Sequence, residues 1–361
     1  MTVANADTPS FEGKPSFEGK KVLVVGGTGT LGRALVKRLL AGPGVPRKIV
    51  IMSRDEAKQY DMRAEFGRTN GAAGAASGDV LQSVLDFRIG DTRDFGAVSS
   101  ALKGVDIVFF AAALKQVPSC EYFPEQAVLT NCLGASNLIR AIREHHDGVE
   151  TVVCISSDKA CQPFNVMGMT KAIQERLFVA ANLMCSDTRF IGVRYGNIIA
   201  ARGSFIPLII EQIRHGGPVT LTDPRMTRFL LGLDDALATI LAAIRDARRG
   251  EIYVPEARAA TIGNIATALI GKQKIAIETL GIRPGEKMHE ILISDEEALR
   301  CYRRGSYFVI PPMLPELVAN DVAPGAVLDG ALSSNARVVS LEETAALLRR
   351  HGFLGAASGS A

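Results

Sequence analysis

Ser157, Asp158 and Lys159 stand side by side, and a second lysine, Lys171, follows Met167 at a spacing of four. A carboxyl next to an amine is an acid next to a base. Elimination of water needs such a pair: one group takes a proton from carbon, and the other protonates the departing hydroxyl. Each role sets a condition. A lysine base must be partly neutral near neutral pH, so burial or nearby positive charge should lower its pKa. A carboxyl acting as acid should have its pKa raised. An Asp–Lys pair at a strand end can also be a plain surface ion pair.

A second constellation lies earlier in the chain. Gly26, Gly29 and Gly32 form GxxGxxG, with Thr28, Thr30 and Leu31 among the residues between them. Glycine is needed where a backbone turns sharply and approaches a pyrophosphate, and a helix N-terminus adds free N–H groups and positive dipole. KVLVVG (21–26) reads as a strand and RALVKRLLA as a helix. That context predicts a dinucleotide site rather than the tight turn of a generic α/β protein. At the end of the next apolar run an acidic residue would bind the ribose hydroxyls of NAD. The chain has Ser53 and Arg54 there, followed by Asp55 and Glu56. A guanidinium suits a 2′-phosphate, so NADP is the expected cofactor. The competing role for Arg54 is a solvated strand end. Asp91, in IGDTRD, is placed to meet the adenine amino group, and its competing role is to cap the next helix.

The elements that must position these groups alternate. Apolar runs at 21–26, 48–54, 85–89, 105–113, 151–157 and 190–197 are separated by helical patterns. This predicts an α/β fold with a parallel sheet covered on both faces. Right-handed crossovers make it a doubly wound, Rossmann-type sheet. Ligands of such sheets bind at the carboxyl ends of the strands, which is where Ser157 to Lys159 fall. After Asn197 the rhythm changes, and 203–230 and 275–315 carry Pro, Arg and irregular spacing. The predicted organisation is a flexible extension over 1–19, a dinucleotide domain over 20–202 and 231–255, a substrate lobe over 203–230 and 256–350, and a flexible tail over 351–361. The hexamer PSFEGK occurs at 9–14 and again at 15–20, and 68–79 reads as a flexible Gly/Ala/Ser loop.

Composition bounds the rest. At 361 residues and 47% hydrophobic, the chain can bury the core of one large domain with a second lobe. A net charge of +3 gives no reason to expect nucleic acid or an acidic membrane surface as partner. No apolar run is long enough to span a bilayer, and the N-terminus lacks a signal pattern, so the expected compartment is the cytoplasm. The six cysteines form no CxxC pair, which favours free, partly buried thiols over a metal or redox site. His145 and His146 are adjacent and do not share a helix face, so they read as a polar helix end.

The motifs together resemble the extended short-chain dehydrogenase/reductases. More narrowly they resemble the soluble UDP-N-acetylglucosamine 4,6-dehydratases that invert carbon 5 in bacterial surface-glycan synthesis. The resemblance runs from about Lys20 to about Pro315. Its carriers are GGTGTLG (26–32), AAALKQVPSCEYFPEQAVLTNCLGASN (111–137), SSDKACQPFNVMGMTK (156–171), RYGNIIAARGSFIPL (194–208), DPRMTRF (223–229) and GIRPGEKMHE (281–290).

The resemblance implies a mechanism. Hydride leaves carbon 4 for NADP, and the resulting ketone acidifies the proton on carbon 5. Lys159 removes that proton, Asp158 protonates the hydroxyl leaving carbon 6, and the hydride returns to carbon 6. Ser157 would bind the carbon-4 hydroxyl, and Lys171 the nicotinamide ribose. Ala112, Lys115 and Asn131 would line the cofactor, Asn131 having a helix-stabilising role as its alternative. Lys115, Glu121 and Tyr122 are candidate sugar contacts. Asn197, Ser204, Arg228 and Arg283 would hold the UDP, though the two arginines also suit lobe–lobe salt bridges. Glu286 and Lys287 belong to the motif without an assigned role. Assembly as a homo-oligomer, a dimer or hexamer, is expected by analogy.

Met167 is a departure from the wider family, which carries Tyr there as the base for the alcohol proton. A thioether cannot titrate. The proton would then pass to Lys171 through water or to Asp158, and the competing role for Met167 itself is packing with no chemical part. Two other readings stay open. One is a nucleotide-sugar epimerase or reductase on the same fold, and the other a non-catalytic NADP-binding sensor.

Overall fold

A computed structural model describes residues 15–42, 44–67, 83–145, 148–199, 204–318 and 327–354. Short β-branched runs form its central sheet. Its parallel strands are β1 (Lys21–Val25), β2 (Lys48–Ser53), β3 (Leu85–Ile89), β4 (Ile107–Phe110), β5 (Thr151–Ile155), β6 (Arg189–Val193) and β7 (Ile252–Pro255), and they lie in the order β3-β2-β1-β4-β5-β6-β7. Alternate residues of a strand face opposite sides. Val22 and Val24 join one core cluster with Leu35 and Ile240, while Leu23 and Val25 join another with Leu138 and Phe178. Helices cover both sides, so both sets are buried and the strands read as unbroken apolar runs. Full burial of each such side chain contributes about 1.5–3 kcal/mol.

The covering helices include α1 (Thr30–Ala41), α2 (Glu56–Gly67), α3 (Phe95–Leu102), α4 (Gly134–His145), α5 (Val166–Met184) and α6 (Leu233–Asp246). The fold is the expected doubly wound Rossmann-type sheet. Its strand order reverses between β1 and β4, which opens a crevice at their carboxyl ends.

The smaller lobe is built around a three-stranded sheet of Asn197–Ile198, Thr227–Leu231 and Arg258–Thr261, with helices Phe205–Arg214, Ile262–Ile270 and Leu341–Arg350. The structure moves four boundaries of the predicted organisation. Asn197–Ile198, predicted within the dinucleotide domain, pair with Thr227–Leu231 in the lobe sheet. Residues 302–310 do not belong to the lobe, because β8 (Tyr302–Arg304) and β9 (Tyr307–Ile310) extend the main sheet antiparallel beyond β7. The extension does not remain loose to residue 19. Phe17 is buried, its ring centroid 6.5 Å from that of Phe109, and its carbonyl accepts from Lys20 N at 3.0 Å. Order also continues past 350. Phe353 N donates to Leu348 O at 2.9 Å, and Phe353 and Leu354 pack on the lobe core.

The first hexamer copy (9–14), the 68–79 loop and residues 355–361 lie outside the described residues, as do His146 and Asp147. His145 ends α4. The six cysteines are free, and all but Cys132 are buried. Among the described residues no helix is long and apolar enough to cross a membrane.

Candidate active site

A cleft of about 1300 Å³ runs along the carboxyl ends of the strands, between the sheet and the lobe. One end is the glycine loop. Gly26 has φ +81°, and a Cβ there would lie 2.8 Å from Ala112 N. A Cβ on Gly32 would lie 2.6 Å from Gly27 Cα, so α1 abuts the loop with no room for a side chain. The first turn of α1, capped by Gly29 without a side-chain bond, faces this end of the cleft. A close backbone cradle at a helix N-terminus fits a pyrophosphate. Thr28, Thr30, Leu31 and Ala112 line the same end.

β2 sets the cleft wall beside the cradle. Thr28 Oγ1 donates to Ser53 Oγ at 2.9 Å, and Ser53 Oγ also accepts from Asp55 N at 3.1 Å. Asp55 is engaged by α2, where its carboxylate accepts from Lys58 N at 3.0 Å and pairs with the Lys58 ammonium. The Arg54 guanidinium lies at the cleft wall, 3.7 Å from Asp91. Asp91 does not cap the following helix. Asp94 caps α3 instead, accepting from Gly96 N at 2.8 Å and Ala97 N at 3.3 Å. Burial pushes Asp91 up, but its hydrogen bonds from Arg93, together with Arg54, outweigh that and hold the carboxyl below its usual range.

The catalytic candidates close the other end. β5 delivers Ser157, Asp158 and Lys159 into a short 3₁₀ turn over 158–160. Ser157 Oγ donates to Asp158 Oδ1 at 2.8 Å and accepts from Lys159 N at 3.2 Å. The pair is not a surface pair, since Asp158 is 1% exposed. Lys159 Nζ lies 3.2 Å from Asp158 Oδ1 and 3.2 Å from Glu290 Oε1. Arg228 Nε is 4.0 Å from the same Glu290 oxygen. Asp158 Oδ2 and Glu290 Oε2 are buried with no hydrogen-bond partner among the described residues.

Burial raises the Asp158 carboxyl, the direction expected of an acid. Lys159 goes the other way from the sequence expectation. Burial pulls its ammonium down, but Asp158 and Glu290 more than offset this and hold it above the ordinary lysine value. The lysine that burial does lower is Lys171, whose Nζ donates to Ile155 O at 2.6 Å and to Gln174.

α5 is fixed against this turn. Asn165 Oδ1 caps it by accepting from Gly168 N at 2.7 Å, and a Cβ on Gly168 would fall 2.3 Å from Lys159 O. Only glycine lets the helix approach so closely, and the approach brings both Met167 and Lys171 to the cleft wall. Met167 is buried and packs with Cys120 and Ala127.

Lys115, Asn197, Ser204, Arg228 and Arg283 also line the cleft. Burial lowers Lys115. Asn197 Oδ1 and Ser204 Oγ are buried without partners among the described residues. Arg228 donates to the carbonyls of Thr227 at 2.8 Å and Met288 at 3.2 Å.

Three expected contacts are not brought to the cleft. Asn131 is fully buried behind its wall, in a π-helical turn over 128–133. Its amide clamps Leu114 through N at 2.8 Å and O at 3.0 Å, and donates to Thr170 Oγ1 at 2.9 Å. It therefore ties the loop after β4 to α5. Glu121 is turned to α5, accepting from Val166 N at 2.7 Å. Tyr122 is 83% exposed outside the cleft. The sequence reading missed Glu290 and Asn165. Glu290 carried a signal as the last residue of GIRPGEKMHE, whereas Asn165 shows its place only through the cap it makes.

The sheet order, the glycine cradle and the cleft at the carboxyl ends of the strands define a doubly wound α/β protein whose crevice fits a pyrophosphate. A family model described as polysaccharide biosynthesis protein matches residues 22–312. The chain is 40% identical over 343 residues to a UDP-glucose 4-epimerase of Rickettsia akari, covering 92% of this chain and 96% of that one. A relative of the same name from Rickettsia typhi is 42% identical over 301 residues, 82% and 84% of the two chains. Among solved structures, Pen from Bacillus thuringiensis is 33% identical with a TM-score of 0.83, covering 94% of this chain and 99% of that one. DesIV, a dTDP-glucose 4,6-dehydratase from Streptomyces venezuelae, shares the fold at 22% identity and a TM-score of 0.62 over 74% and 86% of the chains. The chain belongs to the polysaccharide biosynthesis family of extended short-chain dehydrogenase/reductases, enzymes that modify nucleotide sugars.

Proposed function

We propose that the chain dehydrates a UDP-N-acetylhexosamine, UDP-N-acetylglucosamine in the first instance, to a 4-keto-6-deoxy sugar with inversion at carbon 5. The observation that carries this reading is the pairing of the buried Asp158 carboxyl with the Lys159 amine at the carboxyl edge of the sheet, in the same cleft as the glycine cradle. Epimerisation at carbon 4 alone has no use for an acid and a base serving an elimination.

NADP would supply the hydride acceptor and donor, held by Gly26 and Thr28 to Gly32, with Arg54 at the 2′-phosphate and Lys171 at the nicotinamide ribose. The preference for NADP is supported by Asp55, whose carboxylate is engaged with Lys58. Ser157 meets the carbon-4 hydroxyl. Lys171, lowered by burial, takes up that hydroxyl's proton in place of the tyrosine that Met167 replaces. Asp158, raised by burial, gives its proton to the hydroxyl leaving carbon 6. Lys159, once it is the neutral amine, takes the proton from carbon 5 as the bond from carbon 6 to its hydroxyl breaks. Asn197, Ser204, Arg228 and Arg283 bind the nucleotide diphosphate, two cationic forks suiting two phosphates. Water on the opposite face protonates carbon 5, which gives inversion, and the protons taken by Lys159 and Lys171 pass to solvent and back to Asp158, so that one water is lost in all.

The second reading is epimerisation of UDP-glucose at carbon 4, which the name of the Rickettsia relatives favours. Incubation of purified protein with UDP-N-acetylglucosamine and, separately, UDP-glucose in deuterated water separates the two. Dehydration gives a product one water lighter with one deuterium at carbon 5 and no net change in NADPH. Epimerisation gives UDP-galactose of unchanged mass from UDP-glucose, and that result alone sinks the dehydratase reading. Asp158→Asn and Lys159→Ala should each lower dehydration at least ~100-fold. Near-normal turnover by either refutes its assigned role.

A further inference from the structure

The last segment of the lobe motif reaches the catalytic turn at several points. Asn165 Nδ2 donates to Gly285 O at 2.7 Å. Lys287 Nζ donates to Cys161 O at 3.0 Å and Gln162 O at 2.7 Å. Glu290 is the deepest of these contacts and the only one with a titratable group on both sides. Its backbone is pinned, with N donating to Ser334 Oγ at 2.9 Å and O accepting from Ser334 N at 2.8 Å. Ser334 Oγ is in turn 2.6 Å from Thr227 Oγ1. The carboxylate is thereby aimed across the cleft at Lys159.

We propose that Glu290 is a positioning residue of the catalytic centre, which from the lobe holds the Lys159 amine against the cleft and sets the pH at which that amine becomes free to act as a base. Its effect on turnover rests on the dehydratase reading, whereas the charge coupling itself does not. The charges facing this point come from four elements. Asp158 and Lys159 belong to the turn after β5, Arg228 to the lobe strand Thr227–Leu231, Lys287 to the segment just before Glu290, and Glu290 to the start of Ile291–Ile293. Without Glu290, Lys159 would face burial and Arg228 with Asp158 alone to favour its charge, and the amine would become neutral at lower pH. A purely structural ion pair would be expected to satisfy both carboxylate oxygens. Here Oε1 takes Lys159 while Oε2, buried at the cleft wall, has no partner among the described residues. The arrangement makes the reactivity of the turn depend on the lobe being in position.

The test reads Lys159 directly. Competitive labelling of its amine across a pH series, followed by peptide mass spectrometry, is run on the full chain of wild type, Glu290→Gln and Glu290→Asp. Folding of each variant is checked by thermal unfolding. The labelling midpoint should fall by about one pH unit or more in Glu290→Gln, a tenfold gain in neutral amine at fixed pH. Glu290→Asp, which keeps the charge on a shorter reach, should fall by less, and it is the deciding variant should Glu290→Gln not fold. A midpoint unmoved in the deciding variant overturns the proposal. In parallel, the pH limb for deuterium entry at carbon 5 should move the same way as the labelling midpoint. A limb that stays in place while only the rate falls also overturns it. If the wild type does not dehydrate at all, the dehydratase reading fails, and the labelling still decides the coupling.

Discussion

At the scale of single residues, the chemistry divides into what neighbours in sequence reveal and what neighbours in space decide. The adjacency of Asp158 and Lys159 at a strand end was legible in the sequence, and the structure places both at the cleft wall. Their charge states were not legible. Lys159 was expected to be lowered, yet Glu290, 131 residues away, holds it up together with Asp158. No local pattern announces such a partner. Met167 bears on the same question. It is buried against Cys120 and Ala127 and carries no titratable proton. Met167→Leu conserves volume, a swap that costs less than about 1.5 kcal/mol of stability, and turnover should stay within about tenfold of wild type. A loss beyond ~100-fold would show that the sulfur itself takes part. Arg54→Ala should weaken NADP binding about tenfold or more while leaving NAD binding nearly unchanged, because a charge-assisted bond to the 2′-phosphate contributes about 1.5–3 kcal/mol. Equal loss for both cofactors in a fluorescence titration would refute the assignment to the 2′-phosphate.

At the scale of elements, the parallel strands were readable because both their faces are buried, which leaves continuous apolar runs. The hairpin of β8 and β9 was not. Its strands are three and four residues long, and they sit in a segment whose prolines and arginines suggested lobe. The π-helical turn at 128–133 was equally invisible, since its sequence continues an ordinary helical pattern. It matters because it brings Asn131 to Leu114 and Thr170 rather than to the cleft. The junction of α1 with the glycine loop, in contrast, follows from the glycine spacing, and its tolerance can be forecast. A Cβ on Gly32 would meet Gly27 Cα at 2.6 Å and Gly26 O at 2.7 Å, both backbone atoms that cannot rotate aside. Gly32→Ala must therefore push α1 from the loop. Dinucleotide affinity should fall at least ~10-fold, while far-ultraviolet circular dichroism should show the fold retained. Unchanged affinity would mean that this close approach does not shape the cradle.

At the scale of the molecule, one buried network joins the main sheet and its helices to the segment over 291–298. Arg194, at the end of β6, is 2% exposed and bonds Glu175 of α5 at 3.0 and 2.7 Å. It also bonds Glu297 of that segment at 2.7 and 3.0 Å and Leu292 O at 2.9 Å. Burial pushes Glu297 up, but Arg194 outweighs it and holds the carboxyl below its ordinary value of 4.5. A carboxyl lower in the folded than in the unfolded chain adds stability that is complete above the unfolded value and is lost as pH falls through the folded one. Arg194→Met removes the guanidinium and leaves two buried carboxyls facing each other. Breaking a buried pair in this way costs about 3–5 kcal/mol. Burial would then raise Glu297 above its ordinary value, and the sign reverses: stability is lost as pH rises through the folded value. Urea unfolding at about pH 7 and about pH 5 reads this directly. The deficit of Arg194→Met relative to wild type should be largest at the higher pH and shrink at the lower one. A deficit equal at both values would mean that the network holds the segment to the sheet by packing alone, with no part played by its charge.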